Sequence, residues 1–206
     1  MTTRLIFIRH ARSIWNDAGL WQGQANPPLS ETGLAQARLL AERLRRGWQI
    51  DHLYASDLER AATTAGIVGD ALGLRPTLDP VWRERGIGEL EGLTSEQIAA
   101  RYPEVWAALA TGPMTGVPGA EPTEVVLARA AAGCADLLAR HPDQSVAVVS
   151  HGGMIQSTIL HLLELPPVAY ARLVGGYHTA ISQVNVRDGW TYLERLNDFA
   201  HLEPMK

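Results

Sequence analysis

The 206-residue chain is predicted to be an α/β protein, a three-layer sandwich around a mostly parallel central sheet with a small cap insertion. Three observations carry this. Two short apolar runs, Leu5–Ile8 and Ser145–Ser150, have the unbroken hydrophobicity of strands buried on both faces. Segments with 3.6-residue periodicity alternate with such runs, and right-handed crossovers then place helices on the sheet. Only residues about 85–122 interrupt the alternation, within what reads as a single domain spanning residues 1–206.

The elements follow in order. After the first strand, residues 17–29 carry Gly19, Gly23, Asn26, Pro27 and Pro28 and read as a loop. Ser30 is a good N-cap for a helix over about 31–46, whose Leu34, Ala37, Leu40, Ala41 and Leu44 share one face. A second strand covers His52–Ala55. The next helix has the capping-box pattern Ser56-Asp57-Leu58-Glu59 and ends near Leu72-Gly73. A short strand fits residues 76–79. Pro80, Gly86, Gly88 and Gly92 mark residues 80–93 as loop, and short helices fit residues 94–101 and 103–110. Thr111–Pro122 holds too many breakers for regular structure. A long helix over about 123–140 aligns Val126, Ala130, Gly133, Cys134 and Leu137, and another covers about 153–163. Ile181–Val186 and Thr191–Arg195 read as strands around the turn Asp188-Gly189.

Composition narrows the function. Eighteen basic and twenty-two acidic residues give a net charge of −4, with no basic stripe, so nucleic acid is a poor partner. One cysteine, Cys134, excludes a disulfide framework and a cysteine metal cluster. No apolar run reaches membrane-spanning length and the N-terminus does not resemble a signal peptide, so a cytoplasmic location is expected. An exposed apolar strand edge could mediate a homodimer. Seventeen of the eighteen basic residues are Arg, the other being Lys206. Codon bias accounts for this; it also means that any anion site must use the planar guanidinium fork.

In parallel sheets, ligands bind beyond the carboxyl ends of the strands. The residues there are Arg9-His10, then Ser56-Asp57-Leu58-Glu59-Arg60, then His151-Gly152-Gly153. Any one His is most simply structural. Together, two imidazoles and two guanidiniums at one sheet edge suit a phosphate monoester. Arg forks hold the dianion, and Arg60 adds the N-terminal end of its helix. A neutral imidazole can attack phosphorus, and a protonated one can stabilise the equatorial oxygens. The leaving alcohol then needs a proton from a carboxylic acid. Glu84 is a candidate, although spacing alone favours a solvated loop charge.

At this point the chain resembles the histidine phosphatase superfamily, which includes the cofactor-dependent phosphoglycerate mutases. The resemblance spans nearly the whole sequence. Arg9-His10…Asn16 is similar to the opening motif. Gln22-Gly23…Pro28-Leu29-Ser30…Gly33…Gln36-Ala37, Ser56…Arg60-Ala61…Thr64-Ala65, and Glu84…Gly88…Glu91-Gly92 follow in family order. Pro118-Gly119-Ala120-Glu121, Ser150-His151-Gly152-Gly153 and Asn197-Asp198…His201-Leu202 complete the set. The resemblance implies a phosphoglycerate mutase-like fold and a metal-independent phosphomonoester hydrolase without a dissociable cofactor. The implied class is a histidine acid-type phosphatase acting on a small phosphorylated metabolite through phosphohistidine. His10 is implied as nucleophile, with Arg9, Arg60 and His151 completing the phosphate pocket. Asn16, Gly23 and Gly152 are implied as further phosphate contacts. Glu84 is implied as proton donor and later as base for water.

Two departures stand out. The family's glycine after the nucleophile is Ala11, for which an ordinary backbone conformation is expected. Arg12 replaces an acidic or amide residue. That puts positive charge at the mouth and predicts a preference for substrates with a second anionic group. His178 stands where the family has Asn. Trp15, Trp21 and the segment from Thr111 to Gly119, including Met114, are expected to border the mouth.

The alternative within the family is a cofactor-dependent phosphoglycerate mutase. Against it, Gly92-Leu93-Thr94-Ser95 lacks the Lys that mutases carry after the acid loop, and the insertion is short. A non-catalytic phosphoester-binding protein is the alternative outside the enzymes; it would bind phosphate without turnover. Serine hydrolase, dinucleotide-binding and zinc motifs are absent from the sequence.

Overall fold

β1 (Thr2–Arg9) shows why the protein has three layers. Its alternate side chains enter two different cores. Leu5 and Phe7 join Val146, Val148, Trp82 and Met154 on one side of the sheet. Ile6 and Ile8 join Leu53, Ala147, Val149 and Leu40 on the other. Each such side chain contributes about 1.5–3 kcal/mol by leaving water, so a strand apolar on both faces is stable only between two helical layers. Helices α2 (Glu31–Gly47) and α3 (Glu59–Leu72) form one layer. The other contains α6 (Thr123–Arg140) and α7 (Gly152–Leu162). The computed structural model describes residues 2–109, 115–166, 168–169 and 176–205; Thr111, Gly112, Pro113, Met114 and Lys206 lie outside them.

The six strands run in the order β3-β2-β4-β1-β5-β6. β2 (His52–Ala55), β3 (Thr77–Leu78) and β4 (Ser145–Ser150) are parallel with β1, and the register pairs Arg9 with Ser150. That register brings the residues after β1 and β4 to one edge. β5 (Ile181–Arg187) is antiparallel to β1 and turns into β6 (Trp190–Asp198). Asp188 and Gly189, at φ 50° and 82°, form the two-residue turn that fits strand twist in a hairpin. The antiparallel pair closes one edge of an otherwise parallel sheet.

Ser30 caps α2 as the sequence predicts, its hydroxyl accepting from Gly33 N at 3.2 Å. The capping box expected at Ser56 does not form. α3 begins after Leu58, without a side-chain cap. Ser56 is still held by β4, through its N–H to Val149 O at 2.9 Å, so it lies too early to cap; its hydroxyl accepts from Leu58 N instead. A short helix α1 (Ile14–Asp17), capped by Ser13, precedes the expected loop.

Residues between β3 and α6 include α4 (Ser95–Arg101) and α5 (Pro103–Leu109). Ile87, Leu90, Ile98, Val105 and Val117 make a third apolar cluster, against which Trp21, Tyr102 and Leu109 pack. No helix among the described residues is long and apolar enough to cross a membrane.

Candidate active site

The carboxyl edge of the parallel strands gathers residues far apart in sequence. Arg9 ends β1 and His10 follows, its N–H bound to Ser150 O at 2.8 Å. His151 follows β4 directly, and Arg60 lies in the first turn of α3. A cavity of about 460 Å³ opens over this edge. Its wall contains Arg9, His10, Asn16, Gly23, Arg60 and Glu84, so the structure brings six of the expected residues together. His151 and Gly152 are not part of that wall. His151 lies against His10 with ring centroids 5.0 Å apart, and Gly152 opens α7.

Each inner group is fixed in a defined state. His10 Nδ1 lies 2.7 Å from Ala11 O. A carbonyl only accepts, so Nδ1 carries the proton and Nε2 keeps its lone pair. Burial, then the charges of neighbouring His151, Arg60 and Arg9, hold His10 well below the ordinary histidine pKa. Burial, Arg60 and Arg9 do the same to His151, and neither of its ring nitrogens has a hydrogen-bond partner among the described residues. The imidazolium expected at the second histidine is therefore not the state these surroundings favour: two nearby guanidiniums repel it. Arg60 is 1% exposed; burial pushes its pKa down to about 10, although Glu84 opposes the shift.

Arg60 is held from behind. Its Nη1 and Nη2 donate to Ala25 O and Gly23 O, at 2.7 and 2.8 Å. Gly23 has φ 50°, and an added Cβ would stand 2.3 Å from Glu91 Oε1, so a side chain here is excluded by both conformation and space. Gly23 thus aims a carbonyl at Arg60. Asn16 accepts Ser13 N and Ser13 Oγ on Oδ1, at 3.0 and 3.1 Å, which assigns its amide Nδ2 as the group available to a ligand. Glu84 sits at the start of α7. Its carboxylate accepts from Gly153 N, Met154 N and Arg85 N at 3.0, 3.1 and 2.8 Å. The backbone N–H groups at that end of the helix therefore orient the Glu84 carboxyl group.

The two departures resolve differently. Ala11 is fully buried and is not among the residues with positive φ, as expected. Arg12 does not line the cavity. Its Nε is paired with Asp17 at 2.6 Å and its Nη2 donates to Asn16 O, so its charge is offset on the shoulder of the site. The free positive charge expected at the mouth is absent at this position.

His178, without a role in the sequence reading, packs edge-on to His10 at 5.6 Å. Burial, then Arg9 and Arg12, press its pKa down to about 3. Its Nε2 has no hydrogen-bond partner among the described residues. Trp21 lines the cavity with Leu20, Ile87 and Leu109, while Trp15 packs against Gly92 instead. Met114 lies outside the described residues. Sequence reasoning missed Arg129, which binds the Glu84 loop through its backbone, a contact without any local sequence signal. No group of three or more His, Cys, Asp or Glu among the described residues could hold a metal ion. The site can chemically hold a tetrahedral dianion between two guanidiniums and present it to a neutral imidazole.

Comparisons with known proteins agree in kind. The family model for histidine phosphatase superfamily (branch 1) matches residues 5–199. A metal-independent phosphoserine phosphatase of Arabidopsis thaliana is 29% identical, over 97% of this chain and 83% of its own. A protein of Yersinia enterocolitica named as a probable phosphoglycerate mutase is 31% identical, over 97% and 95%. Among solved structures, mycobacterial glucosyl-3-phosphoglycerate phosphatase with VO3 superposes with a TM-score of 0.88 at 33% identity, covering 95% of this chain and 98% of its own.

Proposed function

The chain belongs to the histidine phosphatase superfamily, and from that premise we propose that it is a metal-independent, acid-type phosphomonoesterase working through a phosphohistidine. One observation carries the mechanism: the hydrogen bond from His10 Nδ1 to Ala11 O, which leaves the Nε2 lone pair for attack. Arg9, Arg60 and the amide of Asn16 hold the phosphoryl oxygens, and the N-terminal turn at Gly152 borders them. His10 Nε2 forms a bond to phosphorus while the ester P–O bond breaks. Glu84 gives its proton to the departing alkoxide, releasing an alcohol. Water then attacks phosphorus and gives a proton to Glu84. The P–N bond breaks, phosphate leaves, and His10 returns to its starting form. A bound dianion offsets the guanidinium charges, which allows His151 to take a proton and stabilise the equatorial oxygens.

The lowered pKa of His10 supports acid-type activity, because the nucleophile stays neutral below ordinary histidine values. The substrate is a small phosphomonoester. Residues 85–122 act as a cap within one domain; Ile87, Leu109 and the adjacent Trp21 supply apolar outer wall.

Release of p-nitrophenol from p-nitrophenyl phosphate in EDTA, with acid-labile phosphate trapped on His10, is the expected result. His10→Ala should lose both signals, by roughly 10⁴-fold or more in rate. Undiminished hydrolysis by this variant would overturn the mechanism. Names of relatives favour a second reading, a phosphoglycerate mutase. Interconversion of 3- and 2-phosphoglycerate without phosphate release would select it; binding of phosphate without turnover would reject both enzyme readings.

A further inference from the structure

We propose that Arg129, on the far helical layer, is a positioning residue for Glu84: it holds the acid loop so that the carboxyl group faces the leaving oxygen. The inference rests on the proposed role of Glu84 as proton donor.

From the 3-10 turn Pro80–Trp82 into the loop after it, four successive carbonyls, Val81 to Glu84, accept no backbone N–H among the described residues. Buried carbonyls require partners. Each has a specific one. Arg129 Nη1 donates to Val81 O at 2.8 Å and to Arg83 O at 2.7 Å. Ser150 Oγ donates to Trp82 O at 2.8 Å. Gln24 Nε2 reaches Glu84 O at 3.1 Å, and Arg129 Nη2 reaches it at 3.4 Å. One guanidinium thus binds the backbone on both sides of Trp82 and at Glu84 itself.

Glu121 completes the clamp. Its carboxylate pairs with Arg129, Oε1 to Nε at 3.1 Å and Oε2 to Nη2 at 2.8 Å. Oε2 also accepts Gly86 N at 3.2 Å, on the other side of Glu84. Both partners are largely buried, 18% and 16% exposed, so truncating either leaves a charge with poor compensation. One helical turn beyond Arg129, Gly133 lets the Trp82 ring rest on α6; an added Cβ would stand 2.9 Å from it. The helix therefore receives the loop at two adjacent points, one apolar and one charged. Five donors in a rigid plane suit this multiple acceptance, which a single ammonium cannot reproduce.

A misplaced acid harms the departure of a poor leaving group far more than that of an activated one. The test uses full-length protein and two probes, glycerol 2-phosphate and p-nitrophenyl phosphate. For Arg129→Met, kcat/KM, which covers the steps only as far as departure of the alcohol, should fall at least about tenfold further with the alkyl ester than with the aryl ester. Glu84→Gln should show the same selectivity, more strongly. Arg129→Lys should fall between wild type and Met.

Equal losses on both probes for Arg129→Met, beside a selective Glu84→Gln, would overturn the positioning role while leaving the proton-donor role intact. Equal losses for Glu84→Gln would instead overturn the proton-donor role, and the positioning inference with it. If Arg129→Met does not fold, Arg129→Lys and Glu121→Gln carry the same comparison: selectivity supports the inference and its lack overturns it.

Discussion

The two ends of the parallel sheet each hold a cluster of histidines, built by opposite rules. At the amino end, His52 and His141 stack with ring centroids 4.0 Å apart. His52 Nε2 meets Gln144 Oε1 at 3.1 Å, His141 Nδ1 meets the same oxygen at 3.2 Å, and His141 Nε2 meets Tyr54 OH at 2.8 Å. At the carboxyl end, His10, His151 and His178 crowd together, and three of their ring nitrogens find no partner among the described residues. Buried polar atoms without partners cost stability. A fold retains them where a ligand is to supply what the protein does not. Partnership, more than residue type or burial, separates the structural histidines from those of the site.

The sharpest way to break this contrast is to exchange losses between the ends. His151→Gln should lower kcat by about 10²–10³-fold, as for loss of a charge-stabilising donor, and change Tm little. His141→Phe should do the reverse. It strands Tyr54 OH and Gln144, costing about 2 kcal/mol, or roughly 4–8 °C for a chain of this size, with kcat unchanged. A Tm loss for His151→Gln as large as that for His141→Phe would erase the distinction.

Acid sharpens the comparison next. In the unfolded chain histidines take up protons near pH 6.5. In the folded chain, His178 at about 3 and His201 at about 4, with lowered His10, His151 and His141, resist them. The unfolded state then binds more protons, so stability falls as pH drops from about 6.5 towards 4. Thermal scans across this range should show that decline. Inorganic phosphate should reduce the part due to the carboxyl-end cluster by binding the folded state. A flat Tm would contradict the assigned neutral states.

The smallest effect is expected at Arg12. Because its charge is spent on Asp17, Arg12→Gln should alter kcat/KM for doubly charged over singly charged phosphoesters by less than about threefold. A larger change would restore the mouth charge expected from sequence.

Strand ends were legible because each apolar run stops at a chemistry-bearing pair, and parallel strands share one functional edge. The 123–140 helix was legible to its ends, since Pro122 precedes it and its apolar stripe is continuous. What could not be read depends on distance in sequence. Ser56 has the residues of a capping box, but its N–H is held by β4, so a tertiary contact overrides a local pattern. Arg12 looked like a free charge until the short α1 helix brought Asp17 beside it. Arg129 contacts carbonyls 45 to 48 positions away, and a carbonyl carries no side-chain identity to read.

Three neutral imidazoles beside two guanidiniums make ligand capture a proton-consuming event. A phosphate dianion entering the cradle raises the affinity of His151 for a proton, and the solvent must supply it. The heat of phosphate binding near pH 8, where the ligand is already the dianion, should then vary linearly with the ionisation enthalpy of the buffer, the slope giving the number of protons drawn in. By the same reciprocity, acidity that loosens the unliganded fold tightens its grip on the anion.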